Sequence, residues 1–284
     1  MTTFPFAAEV GQGLGARVRA ARSVAGGDVN QAFQLTLDDG RVVFAKCNPG
    51  ADSTLFPAEA RGLAWLAEAS ALRVPRVLAQ SESFLILEHI HSTHRCAGFD
   101  ERLGRGLAAL HRFGAAGFGL DHDNFIGRLA QSNAPASTWA EFYGARRLEP
   151  QLRLAYERGL ASPTLRRGFA RVLARLSDLV GPPEPPARLH GDLWGGNLMI
   201  DEHGEPCLID PAVYAGHREV DLAMMRLFGG FSPRVFAAYD EAWPLSEGHQ
   251  DRVPLYQLFY LMVHVNMFGG GYVAQAEEAI EQIV

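Results

Sequence analysis

Three polar residues stand among apolar runs between Leu189 and Pro211: Asp192, Asn197 five positions later, and Asp210 thirteen positions after that. Leu198, Met199 and Ile200 follow the asparagine, and Cys207, Leu208 and Ile209 precede the second aspartate. Two short strands are expected there, with Asp201-Glu202-His203-Gly204 as the turn of a hairpin. Such a hairpin brings Asn197 and Asp210 to one open end. An amide oxygen and a carboxylate facing each other suit Mg²⁺, which takes hard oxygen ligands and leaves other positions to phosphate oxygens. Asp192, on the loop that enters the hairpin, is placed to accept the proton of an attacking hydroxyl. Singly, each of these residues is an ordinary turn former. Their order and spacing together point to metal-assisted phosphoryl transfer.

Upstream, strands are expected over residues 17–24, 30–37 and 42–47, the last two joined by Asp38-Asp39-Gly40-Arg41 with its Asp-Gly hairpin signal. Gly26 and Gly27 break the first connection just before Asn30. A glycine turn lets backbone N–H groups approach phosphates, although such a pair alone reads as a plain turn. Lys46 lies in the third strand, where a lysine usually faces solvent. The helix expected over 55–69 buries Leu55, Phe56, Leu63 and Leu66, and Glu59 falls on that stripe, four residues from Leu55 and from Leu63. Either this carboxylate has a buried partner, since an unpaired charge is costly, or it reaches water from the rim of the stripe. Strands over 74–79 and 84–90 complete a sheet, and beyond Ile90 the chain changes character.

The remainder reads as helical. Phe99, Leu103, Leu107, Leu110 and Phe113 recur at helical spacing, and helices are expected over 139–156, 163–180, from about 217, over 253–268 and from 272 to the end. The loop Asp121-His122-Asp123-Asn124-Phe125-Ile126-Gly127 is read as turn chemistry in preference to a metal site. Gly181-Pro182-Pro183-Glu184-Pro185-Pro186 is a stiff connector.

With 284 residues the chain can bury a full core, and 48% hydrophobic with 20% charged residues describes an ordinary globular protein. A net charge of −6, with no basic run, argues against a nucleic-acid or anionic-membrane partner. No apolar stretch reaches the ~18 residues of a membrane span, and the first ten residues lack the pattern of an export signal. Three cysteines without a Cys-x-x-Cys pair suggest neither a disulfide framework nor a zinc site, and fit a reducing cytoplasm.

An aspartate base, an asparagine five residues on, and a metal-binding aspartate after a hairpin form the order found in the catalytic segment of protein kinases. The segment resembles the kinase-like phosphotransferases, with His190-Gly191-Asp192 for His-Arg-Asp and Asp210-Pro211-Ala212 for Asp-Phe-Gly. That resemblance implies an α+β, two-lobed protein-kinase-like fold. Its parts are an antiparallel N-terminal sheet with one helix over residues 1–90, ending in a hinge at Glu88-His89-Ile90, and a mainly helical lobe over 91–284. It further implies that Lys46 holds ATP phosphates while Glu59 holds Lys46, that hinge backbone reads adenine, and that Asp221 braces the catalytic loop beside His190. On residue type alone, Asp221 equally suits a helix N-terminus.

Little room for an activation segment lies between Pro211 and His217, which favours a small-molecule acceptor. His190-Gly191-Asp192-Leu193-Trp194-Gly195-Gly196-Asn197, Gly216-His217-Arg218-Glu219-Val220-Asp221-Leu222-Ala223-Met224 and the segment from Tyr256 through His264, Asn266 and Phe268 to Tyr272 closely resemble the fructosamine kinase family. The resemblance implies ATP- and Mg²⁺-dependent phosphorylation of the 3-hydroxyl of ketosamines, leading to deglycation, with Trp194, His264 and Asn266 at the substrate. As residues alone, Trp194 and His264 also suit a core. Aminoglycoside or choline kinases of the same fold, and a nucleotide-binding module without catalysis, are the alternatives. One departure from the family's pattern is Asp28, where members often carry cysteine.

Overall fold

The computed structural model describes residues 4–24 and 30–284, so Gly26, Gly27 and Asp28 lie outside the described residues. The chain begins with α1 (Ala7–Leu14), β1 (Val18–Val24), β2 (Gln31–Leu37), β3 (Val42–Cys47), α2 (Leu55–Glu68), β4 (Val77–Gln80) and β5 (Phe84–Glu88). After α3 (Phe99–Phe113) come β6 (Asn124–Ile126), β7 (Leu129–Gln131), α4 (Trp139–Phe142), a π turn (Tyr143–Leu148), α5 (Glu149–Glu157), α6 (Pro163–Ala174), α7 (Leu176–Leu179) and β8 (Ala187–Leu189). Then follow β9 (Leu198–Ile200), β10 (Pro206–Leu208), β11 (Tyr214–Gly216), α8 (Glu219–Leu227), α9 (Pro233–Ala242), α10 (Val253–Phe268) and α11 (Tyr272–Ile283). Among the described residues no helix is long and apolar enough to cross a membrane.

Two compact units result: residues 1–99 with 198–211, and residues 100–197 with 212–284. This division differs from a single cut at 90/91 in where residues 91–99 and 198–211 fall. Backbone hydrogen bonds tie the β9–β10 hairpin to the first unit, Leu208 N–H donating to Arg73 O at 2.8 Å and Cys96 N–H to Gly204 O at 3.1 Å. Segment 91–98 thereby stays with the sheet.

The first unit's sheet has the order β1-β2-β3-β5-β4, every neighbouring pair antiparallel. Val43, Ala45 and Cys47 alternate onto one face, where they pack with Phe4, Val10, Phe33, Leu35, Phe84 and Ile86. Period two therefore turns Lys46 to the other face, in register with Leu85. This is the side α2 occupies, so the strand lysine points inward and is only 7% exposed. α1 covers a part of the chain where the sequence shows no element.

In the second unit α10 is buried nearly all round, from Leu255 to Asn266, as its almost wholly apolar sequence requires. The single helix expected over 139–156 is instead α4 and α5 joined by the π turn. Pro150 has no N–H for the carbonyl of Arg146 and its ring crowds that turn; the Arg147 guanidinium takes over, donating to Arg146 O at 3.1 Å. The helix expected over 163–180 is likewise broken at Arg175, between α6 and α7. β8 and β11 pair antiparallel, Leu189 opposite Tyr214, and frame the loop that follows Leu189. Of residues 121–127, read as a loop, Asn124–Ile126 form β6, which pairs antiparallel with β7.

Candidate active site

In the first unit, the Lys46 ammonium donates to Glu59 Oε1 and to Asp210 Oδ1, both at 2.7 Å. Burial opposes its charge, but the Asp210 and Glu59 carboxylates outweigh that and raise its pKa, so it stays an ammonium. Burial also lifts the Glu59 carboxyl above the usual range, against the pull of Lys46. Glu59 thus has the buried partner that its place on the apolar stripe requires. Asp210 adopts φ 55, the left-handed region that a non-glycine residue enters only under constraint. Lys46 is the only lysine in the sequence, every other basic residue being arginine; that signal was visible in the chain and carried no weight in the reading above.

At the end of β5 the three hinge residues divide. Glu88 is turned into its own unit: its N–H donates to Arg76 O at 2.9 Å, and its carboxylate receives Arg76 Nε at 2.8 Å and Arg73 at 3.4 Å. That N–H is therefore committed within the first unit. His89 packs on His91 with ring centroids 4.5 Å apart; burial, then His91 and Arg22, hold its pKa below the ordinary histidine value. Asn30, just before β2, accepts from Asn48 Nδ2 at 3.3 Å.

In the second unit the loop after β8 is held from below. The buried Asp221 carboxylate accepts from His190 N at 2.7 Å, Gly191 N at 2.9 Å and His111 at 3.1 Å. Burial opposes its ionisation, but His111, His190 and the Gly191 N–H prevail and hold its pKa below the usual range. The bracing role expected of Asp221 is visible in this geometry, and it sits near the start of α8 as well. Gly191 has φ +82, and a Cβ there would lie 2.0 Å from Ala212 O. Only glycine admits that approach, which is why His-Gly-Asp stands here. Ala212 N–H in turn donates to His190 O at 2.9 Å, and the Tyr260 hydroxyl donates to Gly191 O at 2.9 Å.

Asp192 N–H meets His190 Nδ1 at 3.3 Å. Asn197 Nδ2 donates to the Asp192 carbonyl at 2.8 Å and to its Oδ2 at 3.1 Å, which fixes the amide with Oδ1 as its acceptor oxygen. Asn197, in the second unit, offers an amide oxygen and Asp210, in the first, a carboxylate; each is a hard donor of the kind Mg²⁺ takes. No three His, Cys, Asp or Glu side chains gather as a metal cage among the described residues.

Trp194 is 42% exposed, its ring laid across Gly196, where a Cβ would meet it at 2.3 Å. His264 donates from Nδ1 to Tyr260 O at 2.8 Å and sits among Phe228, Tyr272 and Phe268; burial lowers its pKa, so the ring is neutral at pH 7. Asn266 is 3% exposed and donates to Gln151 O at 2.9 Å and Gln151 Oε1 at 2.8 Å, which ties α10 to α5.

His111 and Tyr260 were missed by sequence reading. His111 falls four residues after Leu107 on the apolar stripe of α3, the one available hint; its other nitrogen meets the Tyr239 hydroxyl at 2.8 Å. Tyr260 lies in an all-apolar helix whose pattern gives no hint of its loop contact.

An antiparallel sheet with α1 on one face and α2 on the other, together with a largely helical second unit, defines a kinase-like phosphotransferase fold. The solved choline kinase of Streptococcus pneumoniae shares that fold, with a TM-score of 0.67 at 13% identity over 97% of this chain and 96% of its own. More specifically, residues 7–284 match the model of the fructosamine kinase family, and the chain belongs to that family. A protein of Synechocystis named a probable ketoamine kinase is 40% identical over 94% of this chain and 90% of its own length. The chloroplastic protein-ribulosamine 3-kinase of Arabidopsis thaliana is 35% identical over 95% and 84%. A crystal structure from Thermobifida fusca, described as a fructosamine-3-kinase, superposes with a TM-score of 0.92 at 39% identity, covering 99% of both chains.

Proposed function

We propose that this protein is an ATP-dependent ketosamine kinase that phosphorylates the 3-hydroxyl of fructosamine or ribulosamine adducts. The observation that carries the reading is the family match over residues 7–284, because it spans both units and every described residue of the two half-sites. Relatives named ketoamine kinase and protein-ribulosamine 3-kinase supply the acceptor class.

In this reading Asp192 takes the proton of the 3-hydroxyl, whose oxygen attacks the γ-phosphorus while the bond to the ADP oxygen breaks and ADP leaves. Asn197 and Asp210 are the ligands for Mg²⁺, which when bound offsets phosphate charge. Lys46, kept charged and held by Glu59, donates to phosphate oxygens. The hinge backbone at His89 and Ile90 takes the adenine edge. Asp221, His111 and Tyr260 keep the 190–192 loop in place without touching reactants, while Trp194 and His264 offer aromatic surface to the sugar or its amine. The 3-phosphorylated adduct is unstable and releases the amine. All three cysteines are free thiols, in keeping with a reducing cytoplasm.

The test is ATP consumption with Mg²⁺ on fructosyl-lysine, ribulosyl-lysine, an aminoglycoside, choline and no acceptor. Turnover on the ketosamines alone is expected and ranks the two sugars. Turnover on the aminoglycoside or choline alone would overturn the acceptor class while keeping the chemistry.

A further inference from the structure

Arg73 lies outside every helix and strand, on the segment that leads into β4, and it joins three parts of the first unit. Its main chain bridges β10: it lies opposite Cys207 in the parallel sense, and its carbonyl accepts from Leu208 N–H at 2.8 Å. One terminal nitrogen of its guanidinium donates to Asp201 Oδ2 at 2.7 Å and meets Glu202 Oε2 at 2.9 Å. The other reaches Glu88 Oε1 at 3.4 Å.

Asp201 is buried, and its second oxygen accepts from His203 N and Glu205 N, each at 2.9 Å, closing the hairpin turn. Glu88 ends β5, the strand whose Leu85 lies opposite Lys46. A single side chain thus spans from the hairpin that delivers Asp210 to the strand beside Lys46. The hairpin has three residues per strand, and so short a two-stranded unit has little stability of its own. Its placement depends on what grips it from outside.

We propose that Arg73 is a positioning residue for the nucleotide and metal half of the site. By clamping the β9–β10 hairpin to the end of β5 it sets where Asp210 stands relative to Lys46, and so governs Mg²⁺ and ATP affinity without contacting either. The inference rests on the functional reading above.

Arg76 provides the control. It also pairs with Glu88, at 2.8 Å, but its side chain is 77% exposed and, among the described residues, bonds to Glu88 alone. Removing either arginine deletes one positive charge near the same carboxylate; only Arg73 loss releases the hairpin.

The experiment uses the full chain in five forms: wild type, Arg73→Ala, Arg73→Lys, Asp201→Asn and Arg76→Ala. Mg²⁺-dependent ATP binding is measured by calorimetry without acceptor, followed by KM for ATP and for the ketosamine, with a melting curve for each protein. Loss of a residue that orients a metal ligand typically costs about 10-fold or more in metal affinity. Arg73→Ala is therefore expected to raise the Mg²⁺ requirement and KM for ATP by about 10-fold and to leave the ketosamine KM within about 2-fold. Asp201→Asn should shift the same two constants, Arg73→Lys should fall between because it keeps the charge and loses the fork, and Arg76→Ala should match wild type. Should Arg73→Ala not fold, Arg73→Lys and Asp201→Asn decide the matter. The proposal is overturned by Arg73 variants with wild-type Mg²⁺ and ATP constants, by an equal effect of Arg76→Ala, or by a loss confined to melting temperature. A wild-type protein that binds no ATP with Mg²⁺ would instead remove the functional reading beneath it.

Discussion

Replacing Lys46 by methionine removes the ammonium and keeps an unbranched apolar stem of similar length. The ammonium lies 2.7 Å from both Glu59 and Asp210, and the Glu59 side chain is 12% exposed. Breaking a buried ion pair costs about 3–5 kcal/mol if the remaining charge persists. At Glu59 it need not persist, because burial already lifts its pKa and Lys46 is the force that opposes the lift. Without Lys46 the carboxyl takes up a proton, and the penalty is capped at ~1.4 kcal/mol for each unit by which solution pH exceeds its unfolded pKa of about 4.3. A group whose folded pKa is raised contributes stability that is whole below its unfolded value of about 4.3 and is lost as pH rises through the folded value. Lys46→Met should therefore melt close to wild type at about pH 5 and fall behind progressively toward pH 8, by about 2–4 kcal/mol. Phosphoryl transfer should drop by about 10²–10³, the usual loss for a preorganised donor. Calorimetric melts and initial rates across that range provide the check. A melting gap that does not change with pH, or an active variant, would refute the charge assignment.

Asp192→Asn should abolish transfer and leave ATP affinity within a few-fold, as titrations of ATP with and without acceptor would reveal; an active enzyme would remove Asp192 as the base. Asp221→Asn faces a donor toward backbone N–H groups and should cost about 3 kcal/mol, with kcat falling and KM for ATP unchanged. Because the Asp221 pKa is depressed in the fold, wild type keeps this contribution above about pH 4 and loses it as pH falls through the lower folded value, so the variant's melting should lose that acid dependence. With one lysine in the chain, 7% exposed, incubation with ribose should place adducts at the N-terminus alone, read by mass spectrometry.

Local signals carried much of this fold. The β9–β10 hairpin, the Asp-Gly turn before β3 and the ends of α10 follow from apolar runs and turn residues that act over a few positions. Glu59 was legible because a carboxylate on an apolar stripe demands a partner. What escaped depends on distant contacts. Tyr260 and His111 look like core residues until α10 and α3 are packed against the 190–192 loop, and Asn266, whose neighbours match a family motif, turns its amide to Gln151. The π turn could not be read either, since its cause is Pro150 together with a guanidinium that replaces the missing donor. Asp201 passed for a turn former, which it is, and its second oxygen answers to Arg73 far along the chain.

The two half-sites are held by different physics, and this bears on why one lysine survives among 26 basic residues. Around the 190–192 loop the partners are backbone groups, a buried carboxylate and a tyrosine hydroxyl, arrangements with no reason to change during a turnover. Around Lys46 the partners are two carboxylates, one of which is also the candidate metal ligand. When all three groups are ionised the cluster carries a net negative charge, a setting that favours a cation. Were Asp210 to hold Mg²⁺ as proposed, Lys46 would give up that oxygen for a phosphate oxygen and keep Glu59. A compact ammonium with three rotatable donors makes that exchange by turning about its last bond. A guanidinium bound through a rigid planar fork would have to release both carboxylates together. Among the described residues the other ion pairs are made by arginine or histidine, and lysine stands at the position where, in the proposed function, the partner would change.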